Sequence, residues 1–400
     1  SSSVDIIGGN YTGGIAGGED HSSCITISNC FVNSTISGIN NVGGILGEGD
    51  CKISNCGYVG SISGTSNVGG ICGYTYSTSG TIKGSYAVAY VRGTGENTGG
   101  LIGYSYSPVE DCYFSGRVIG QKYTGGLIGY RKYGSVKKCY SQGSIIGTSY
   151  VGGLCGYIYY SDAIESNVII ASSIKATEGN VGRLYGYNGS SGNIGSLGTS
   201  AENKSYNRAI VINQGVAQDV SDGLKNGTGV SATTLKLKAT YVAMGWNFTD
   251  TWAIQETECY PYFKRQTAPP VITSQVVSGT TTVSGKCVDG GTIILDVDGV
   301  KQQMVSTDNT FSFTVSPLQA GHEVRVSAEA DGKEPSYFTT EMVSFLGKGT
   351  EADPYQISTA ADLTQVYRKG YYKLMNDIDL TNYINQFYSS EGWESIGRDG

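Results

Sequence analysis

The residues that could carry catalysis in this chain are few. There are two histidines, His21 and His322, which fall in different predicted domains, so a Ser-His-Asp triad is not expected. No His-Glu-x-x-His zinc motif occurs, and no Gly-x-Ser-x-Gly turn surrounds a suitable nucleophile. The segment Asp296 to Gly299 lacks the rest of a calcium-binding loop and predicts a hairpin turn. We therefore predict no catalytic residue, no metal site and no cofactor.

Four carboxylates could serve a polysaccharide-cleaving enzyme, in which two acids flank the scissile bond. They are Glu110, Asp111, Asp162 and Glu165. Glu110 and Glu165 occupy one repeat position in alternation with Lys83 and Lys137, which predicts a ladder of opposite charges in stacked repeats. Asp111 has no carboxylate at the matching position of the neighbouring repeats. An enzyme stays an alternative, and a non-enzymatic protein is the prediction.

Tyrosines form the pattern that most resembles a binding site. One tyrosine directly follows the glycine that closes each of five repeated segments: Tyr74, Tyr104, Tyr130, Tyr157 and Tyr187. More tyrosines lie just beyond them: Tyr76, Tyr106, Tyr133, Tyr159 and Tyr160. The chain length between repeats varies mainly here, and variable loops beside aromatic residues are typical of binding surfaces. The five tyrosines of the first group are the candidate ligand-binding residues; the alternative is a row that stacks only with itself.

These tyrosines belong to a sequence repeat in which two short segments recur. The first, the glycine word, is Gly-Gly (once Gly-Arg), an aliphatic residue, any residue and Gly, and its seven copies begin at 13, 43, 69, 99, 125, 152 and 182. The second is an aliphatic residue, two polar residues and a small residue; its six copies span 27–30, 53–56, 82–85, 109–112, 136–139 and 164–167. The spacing of 26 to 30 residues, with β-branched runs and no helical period, predicts one coil of a parallel β-helix per repeat. Glycine is then expected at corners, where it allows positive φ and close approach between coils.

The small residue of the second segment is often cysteine. Cys30 and Cys56 fall in adjacent coils, as do Cys112 and Cys139, at a spacing that would permit a disulfide. Serine and asparagine occupy the same position in the other coils, at 85 and 167. That exchange favours small inward-pointing side chains with buried thiols over bridges.

Gly-Gly-Leu-Ile-Gly-Tyr at 99–104 and 125–130, with Val-Glu-Asp-Cys-Tyr-Phe-Ser-Gly-Arg-Val-Ile-Gly at 109–120, resembles the GLUG motif. That resemblance covers about residues 8–190 and departs from the motif at Ser85, Asn167 and Arg183. GLUG motifs occur in bacterial secreted and cell-surface proteins, including adhesin-like proteins and non-catalytic regions of IgA-specific metallopeptidases. The resemblance therefore implies an extracellular or cell-surface bacterial protein.

The sequence after residue 190 predicts three further segments. Residues 191–266 are expected to form the final coils and a cap whose aromatic residues close the end of the solenoid. Residues 267–346 have alternating strands and resemble bacterial immunoglobulin-like domains, which serve as spacers. Residues 347–400 resemble the N-terminal cap of a second β-helix, and residues 1–190 form the first one.

Composition narrows the functional classes. The chain has 27 basic and 34 acidic residues, a net charge of -7, which disfavours nucleic-acid binding. No apolar run is long enough to span a membrane. The predicted fold is all-β: a GLUG-repeat β-helix, an immunoglobulin-like β-sandwich and the start of a second β-helix. The predicted function is adhesion, or binding of host or environmental glycans or surface proteins; a purely structural stalk is the other non-enzymatic alternative.

Overall fold

The computed structural model describes residues 4–18, 24–160, 163–189, 203–288, 291–363, 365–366 and 370–381. The fold is all-β, with a parallel β-solenoid of about eight turns. Two compact units are present, residues 1–264 and 265–400. No helix in the described residues is long and apolar enough to cross a membrane.

Three parallel sheets form the walls of the solenoid. The long-strand sheet contains Val4–Ile7, Phe31–Ser37, Gly57–Gly64, Tyr86–Gly93, Tyr113–Ile119, Tyr140–Gly152 and Val168–Gly182, with the shorter Thr12–Gly13, Asn40–Gly43, Ser66–Gly69, Thr98–Gly99 and Lys122–Gly125. The tyrosine sheet contains Leu46–Gly49, Cys72–Thr75, Ile102–Ser105, Ile128–Arg131, Cys155–Ile158 and Tyr185–Asn188. The charge sheet contains Ile25–Ser28, Cys51–Ser54, Thr81–Lys83, Val109–Glu110, Val136–Lys137 and Ile164–Glu165. Each repeat contributes a strand to each wall, so the predicted β-helix is confirmed.

The register between coils is the one that the repeat predicts. Lys83, Glu110, Lys137 and Glu165 are paired in turn along the charge sheet. Lys83 Nζ lies 2.9 Å from Glu110 Oε2, and Lys137 Nζ lies 2.5 Å from Glu165 Oε1. The predicted charge ladder is therefore confirmed. Inside the walls, one continuous core of hydrophobic side chains runs from Ile27 to Tyr185.

The glycine words are needed for close approach rather than for positive φ. A Cβ built on Gly126 would lie 2.0 Å from the carbonyl oxygen of Gly153, the same position one coil later. The glycine words have no positive φ; the left-handed residues lie two places earlier, at Tyr11, Asn41, Asn67, Asn97, Tyr123, Tyr150 and Asn180. The expectation of positive φ at these glycines was therefore wrong, because asparagine and tyrosine make the corner.

The small residues of the second repeat segment bond from coil to coil. Cys56 N donates to Ser85 Oγ at 3.1 Å, and Cys139 N donates to Asn167 Oδ1 at 3.0 Å. Cys112 Sγ donates in turn to the carbonyl of Ile82 at 3.6 Å. A small polar side chain at this position therefore satisfies backbone groups at a buried corner, which explains why Cys, Ser and Asn interchange.

The last coils are shorter. Lys204–Tyr206, Ile210–Asn213 and Thr228–Val230 add parallel strands, and Val216–Ala217 makes a hairpin with the second of these. Residues 220–230 also reach the last glycine word, since Lys225 O accepts from Leu184 N and Arg183 Nη2 lies 3.2 Å from Asp222 Oδ1. Two short helices follow, Ala232–Leu235 and Lys238–Val242, and Ser231 caps the first.

The aromatic residues expected to close the solenoid's end lie along its side. Residues 246–263, here called the aromatic strap, include the hairpin Trp252–Ala253 and Tyr262–Phe263. Its side chains cover Tyr86, Tyr113 and Tyr140, a fully buried stack from three successive coils. The predicted position was wrong because it rested on chain order, whereas the strap packs on these rings and buries their apolar surface.

The second unit has two antiparallel sheets around one core. Val271–Ile272, Thr282–Lys286 and Thr310–Thr314 form one sheet, and Thr292–Val297, Val300–Val305, Glu323–Glu329 and Thr339–Met342 form the other. Asp298 and Gly299 both have positive φ and make the predicted hairpin turn. Tyr355–Ile357 and Tyr372–Leu374 pair in parallel around the short helix Ala360–Leu363. The predictions for 382–400 lie outside the described residues.

Candidate ligand-binding face

The five candidate tyrosines form one row across the tyrosine sheet. Tyr74, Tyr104, Tyr130, Tyr157 and Tyr187 pair in register through five successive strands. Neighbouring ring centroids lie 5.1, 4.6, 4.9 and 5.6 Å apart in that order. The sequence thus placed all five at equivalent positions of consecutive coils.

The middle rings of this row stack face to face. Tyr104 and Tyr130 are inclined by 9°, and Tyr130 and Tyr157 by 17°. Tyr187 ends the row and is 44% exposed. Stacking covers the faces of the middle rings, so a ligand would meet their edges and hydroxyl groups. These rings therefore stack on one another, as the structural alternative to a binding site predicts.

A second row lies beside the first. Tyr106, Tyr133 and Tyr160 continue from coil to coil with ring centroids 5.5 and 4.6 Å apart. Tyr104 and Tyr106 join the two rows at 5.7 Å. The buried Arg131 supports the loops of this row, donating from Nε to Gly134 O and from Nη1 to Tyr160 O.

A third row was missed by sequence reasoning. Tyr123 and Tyr150 stack at 5.2 Å, and Tyr123 packs edge-on against Tyr130 and Tyr157. Both occupy the left-handed corner position that is asparagine in three earlier coils, where Asn97 donates to Asn67 at 2.8 Å and Asn67 to Asn41 at 2.6 Å. Positive φ is common for asparagine but rare for a bulky residue. The change from Asn to Tyr at this position was the available signal.

We call these three rows together the tyrosine face. It comprises Tyr74, Tyr104, Tyr130, Tyr157 and Tyr187, then Tyr106, Tyr133, Tyr159 and Tyr160, then Tyr123 and Tyr150. Burial, the charge of Tyr106 and a hydrogen bond with it raise the pKa of Tyr74 to about 12. Burial and neighbouring tyrosines also raise the pKa of Tyr104 and Tyr130. These phenols therefore remain neutral hydrogen-bonding groups at physiological pH.

The stability of the fold at alkaline pH should depend on the first tyrosine row. Because the folded pKa values exceed the value of about 10 of an unfolded tyrosine, the stability they contribute is complete below pH 10 and is lost as pH rises through the folded values. We expect the free energy of unfolding to fall from about pH 10 upward, past the pKa of about 12 of Tyr74. Urea unfolding at stepped pH measures this. Replacing Tyr104, Tyr130 and Tyr157 by Phe should flatten the decline; an unchanged slope would contradict it.

Two of the candidate carboxylates have partners of their own among the described residues. Glu110 bonds Lys83, and although burial acts to raise its pKa, Lys83 and Lys138 lower it. Asp111 is 6% exposed beneath the aromatic strap and accepts from Trp252 Nε1 at 3.3 Å. Burial raises the pKa of Asp111. Asp162 and His21 lie outside the described residues.

The fold and the face define a β-solenoid with a tyrosine-lined surface. No group of three or more metal-binding side chains occurs within the described part of the chain. No family model matches the chain, and no curated protein matches it. Among solved structures, the chain is similar to a crystal structure described as a "putative immunoglobulin A1 protease" from Bacteroides ovatus. Identity is 19%, the match covers 61% of this chain and 87% of that one, and the TM-score is 0.45.

Proposed function

We propose that this chain is a non-enzymatic bacterial surface protein that binds glycans or surface proteins through the tyrosine face. The observation that carries the proposal is the convergence of three tyrosine rows on and beside the tyrosine sheet. Tyr123 and Tyr150 support it further, because a tyrosine at a left-handed corner is strained where asparagine would be tolerated. Strain of this kind, about 1–3 kcal/mol per residue, clusters at functional sites.

The other parts of the chain have supporting roles in the proposed surface protein. The repeats belong to the GLUG class of extracellular proteins. The two antiparallel sheets of residues 267–346 are an immunoglobulin-like spacer, and the sequence of residues 347–400 resembles the N-terminal cap of a second β-helix. A purely structural stalk is the competing function, and the stacking of Tyr104 on Tyr130 favours it.

A ligand array with the full 400-residue chain tests the proposal. Replacing Tyr104, Tyr130 and Tyr157 together by Phe keeps the stacked rings and removes only the hydroxyl groups that a ligand would reach. We expect this variant to bind at least tenfold more weakly, from the loss of hydrogen bonds worth about 1 kcal/mol each. Tyr90→Phe, in the long-strand sheet, is the matched control and should bind normally.

Three outcomes would contradict the proposal. Unchanged binding by the triple variant would remove the tyrosine face as the contact surface. Absence of binding to any glycan or protein would favour the stalk. Release of a cleaved product would indicate the enzyme instead.

A further inference from the structure

The tyrosine face contains a cation that no carboxylate of the described residues neutralises. Lys132 Nζ donates to Tyr106 Oη at 2.9 Å and lies 5.0 Å from the centre of that ring. The other groups that act on it are the phenols of Tyr133 and Tyr159. Lys132 is thus surrounded by aromatic rings and neutral hydroxyl groups.

Three other lysines of the solenoid each have an acidic partner. Lys83 pairs with Glu110, Lys137 with Glu165, and Lys122 lies 3.2 Å from Glu96 Oε1. Lys132 differs from these three in having aromatic rings and no carboxylate as partners among the described residues. A cation in such a setting attracts an anionic group of a ligand.

Two of the three exposed rings of the face lie near Lys132. Tyr159 and Tyr160 are 39% and 43% exposed and meet edge-to-face at 4.7 Å. Arg131, directly before Lys132 in the chain, holds the carbonyl of Tyr160 at 2.9 Å. The cation and the exposed rings are therefore held together by one buried anchor.

We propose that Lys132, with Tyr106, Tyr133, Tyr159 and Tyr160, forms a subsite for the acidic group of an anionic glycan. The carboxylate of a uronic acid or a sulfate ester would bond the Lys132 ammonium, and the apolar face of the sugar would pack on Tyr159 or Tyr160. Phenol groups repeated at the coil spacing suit a ligand with a hydroxyl group on every ring. A single cation does not suit nucleic acid, which needs many phosphate contacts. This inference rests on the proposed function and specifies the chemistry of its ligand.

Calorimetric titration of the full chain tests the inference with four probes: an oligogalacturonate, a sulfated heparin-derived oligosaccharide, a neutral oligogalactoside and a polyglutamate peptide. The anionic glycans should bind more tightly than the neutral one, and added salt should weaken them. Lys132→Gln should weaken the anionic glycans by about tenfold or more, since a charge-assisted hydrogen bond is lost. Lys132→Arg should retain much of the binding.

Lys137→Gln, in the charge sheet, is the matched control, because it makes the same change in net charge at a lysine that already has an acidic partner. It should leave the affinity for anionic glycans nearly unchanged.

Uronate and sulfate probes separate the two sources of the acidic group, and binding of either supports the inference. Equal binding of neutral and anionic glycans, unaffected by Lys132→Gln, would overturn it and leave the proposed function standing. Binding of the peptide alone would overturn the glycan class, and binding of none of the probes would overturn the inference.

Discussion

Gly126→Ala is expected to destabilise the solenoid severely. The new Cβ would lie 2.0 Å from the carbonyl oxygen of Gly153 and 2.9 Å from the Cβ of Ser141. The contact with Gly153 cannot relax without separating two coils whose backbones are hydrogen-bonded through Gly126 N and Gly152 O. Overpacking usually costs about 1–3 kcal/mol, and a clash of 2.0 Å with a backbone oxygen places this change at or above that range. Chemical denaturation followed by circular dichroism measures the loss.

Gly9→Ala is the control for this experiment. Gly9 also lies in a coil of the solenoid, but its Cβ would meet nothing within 4 Å. A change in unfolding free energy within about 0.5 kcal/mol is expected there. If Gly126→Ala were equally mild, close coil approach would not be the reason for the glycine word.

Arg183 is the one residue at the second position of the glycine word that is not glycine, and its surroundings explain why. The second glycine of the word has a carbonyl from the next copy directly above it; for Gly153 this is Arg183 O at 2.1 Å from the Cβ position. Arg183 belongs to the last copy of the word, so a side chain is tolerated there. It turns instead to Asp222, which neutralises its buried guanidinium.

Trp252→Ala is expected to release the aromatic strap from the side of the solenoid. Trp252 is fully buried, with ring centroids 4.4 Å from Phe263 and 4.6 Å from Trp246. Removing a buried tryptophan costs about 3–5 kcal/mol through lost burial and the cavity that remains. The variant also leaves the carboxylate of Asp111 without the indole donor. Thermal unfolding and limited proteolysis within residues 246–263 measure the effect.

Two variants make this prediction specific. Val242→Ala, at a residue 53% exposed in the preceding helix, should change stability by no more than about 0.5 kcal/mol. Asp111→Asn combined with Trp252→Ala should recover part of the loss, because an amide is less costly to bury than a carboxylate. A strap that stays protease-resistant after Trp252→Ala would show that other contacts hold it.

The β-helix, its register and the main tyrosine row could be predicted from the sequence. In a stacked solenoid, equal positions in successive repeats become neighbours, so the pairing of Lys83 with Glu110 and of Tyr104 with Tyr130 follows from counting. The turn at Asp298 and Gly299 was predictable for a local reason, because two residues tolerant of positive φ separate two strand patterns.

The position of the strap and the third tyrosine row could not be predicted in this way. Trp252 reaches Asp111 across 141 positions of the chain, and no repeat relates the two residues. Tyr123 and Tyr150 join the face because a left-handed corner directs them toward Tyr157, a direction that depends on backbone conformation. The sequence by itself determined which residues share a coil position, since periodicity needs only chain order. Only the tertiary structure decided which of those rings are covered by the strap and which stay accessible, because coverage depends on contacts between segments that no period connects.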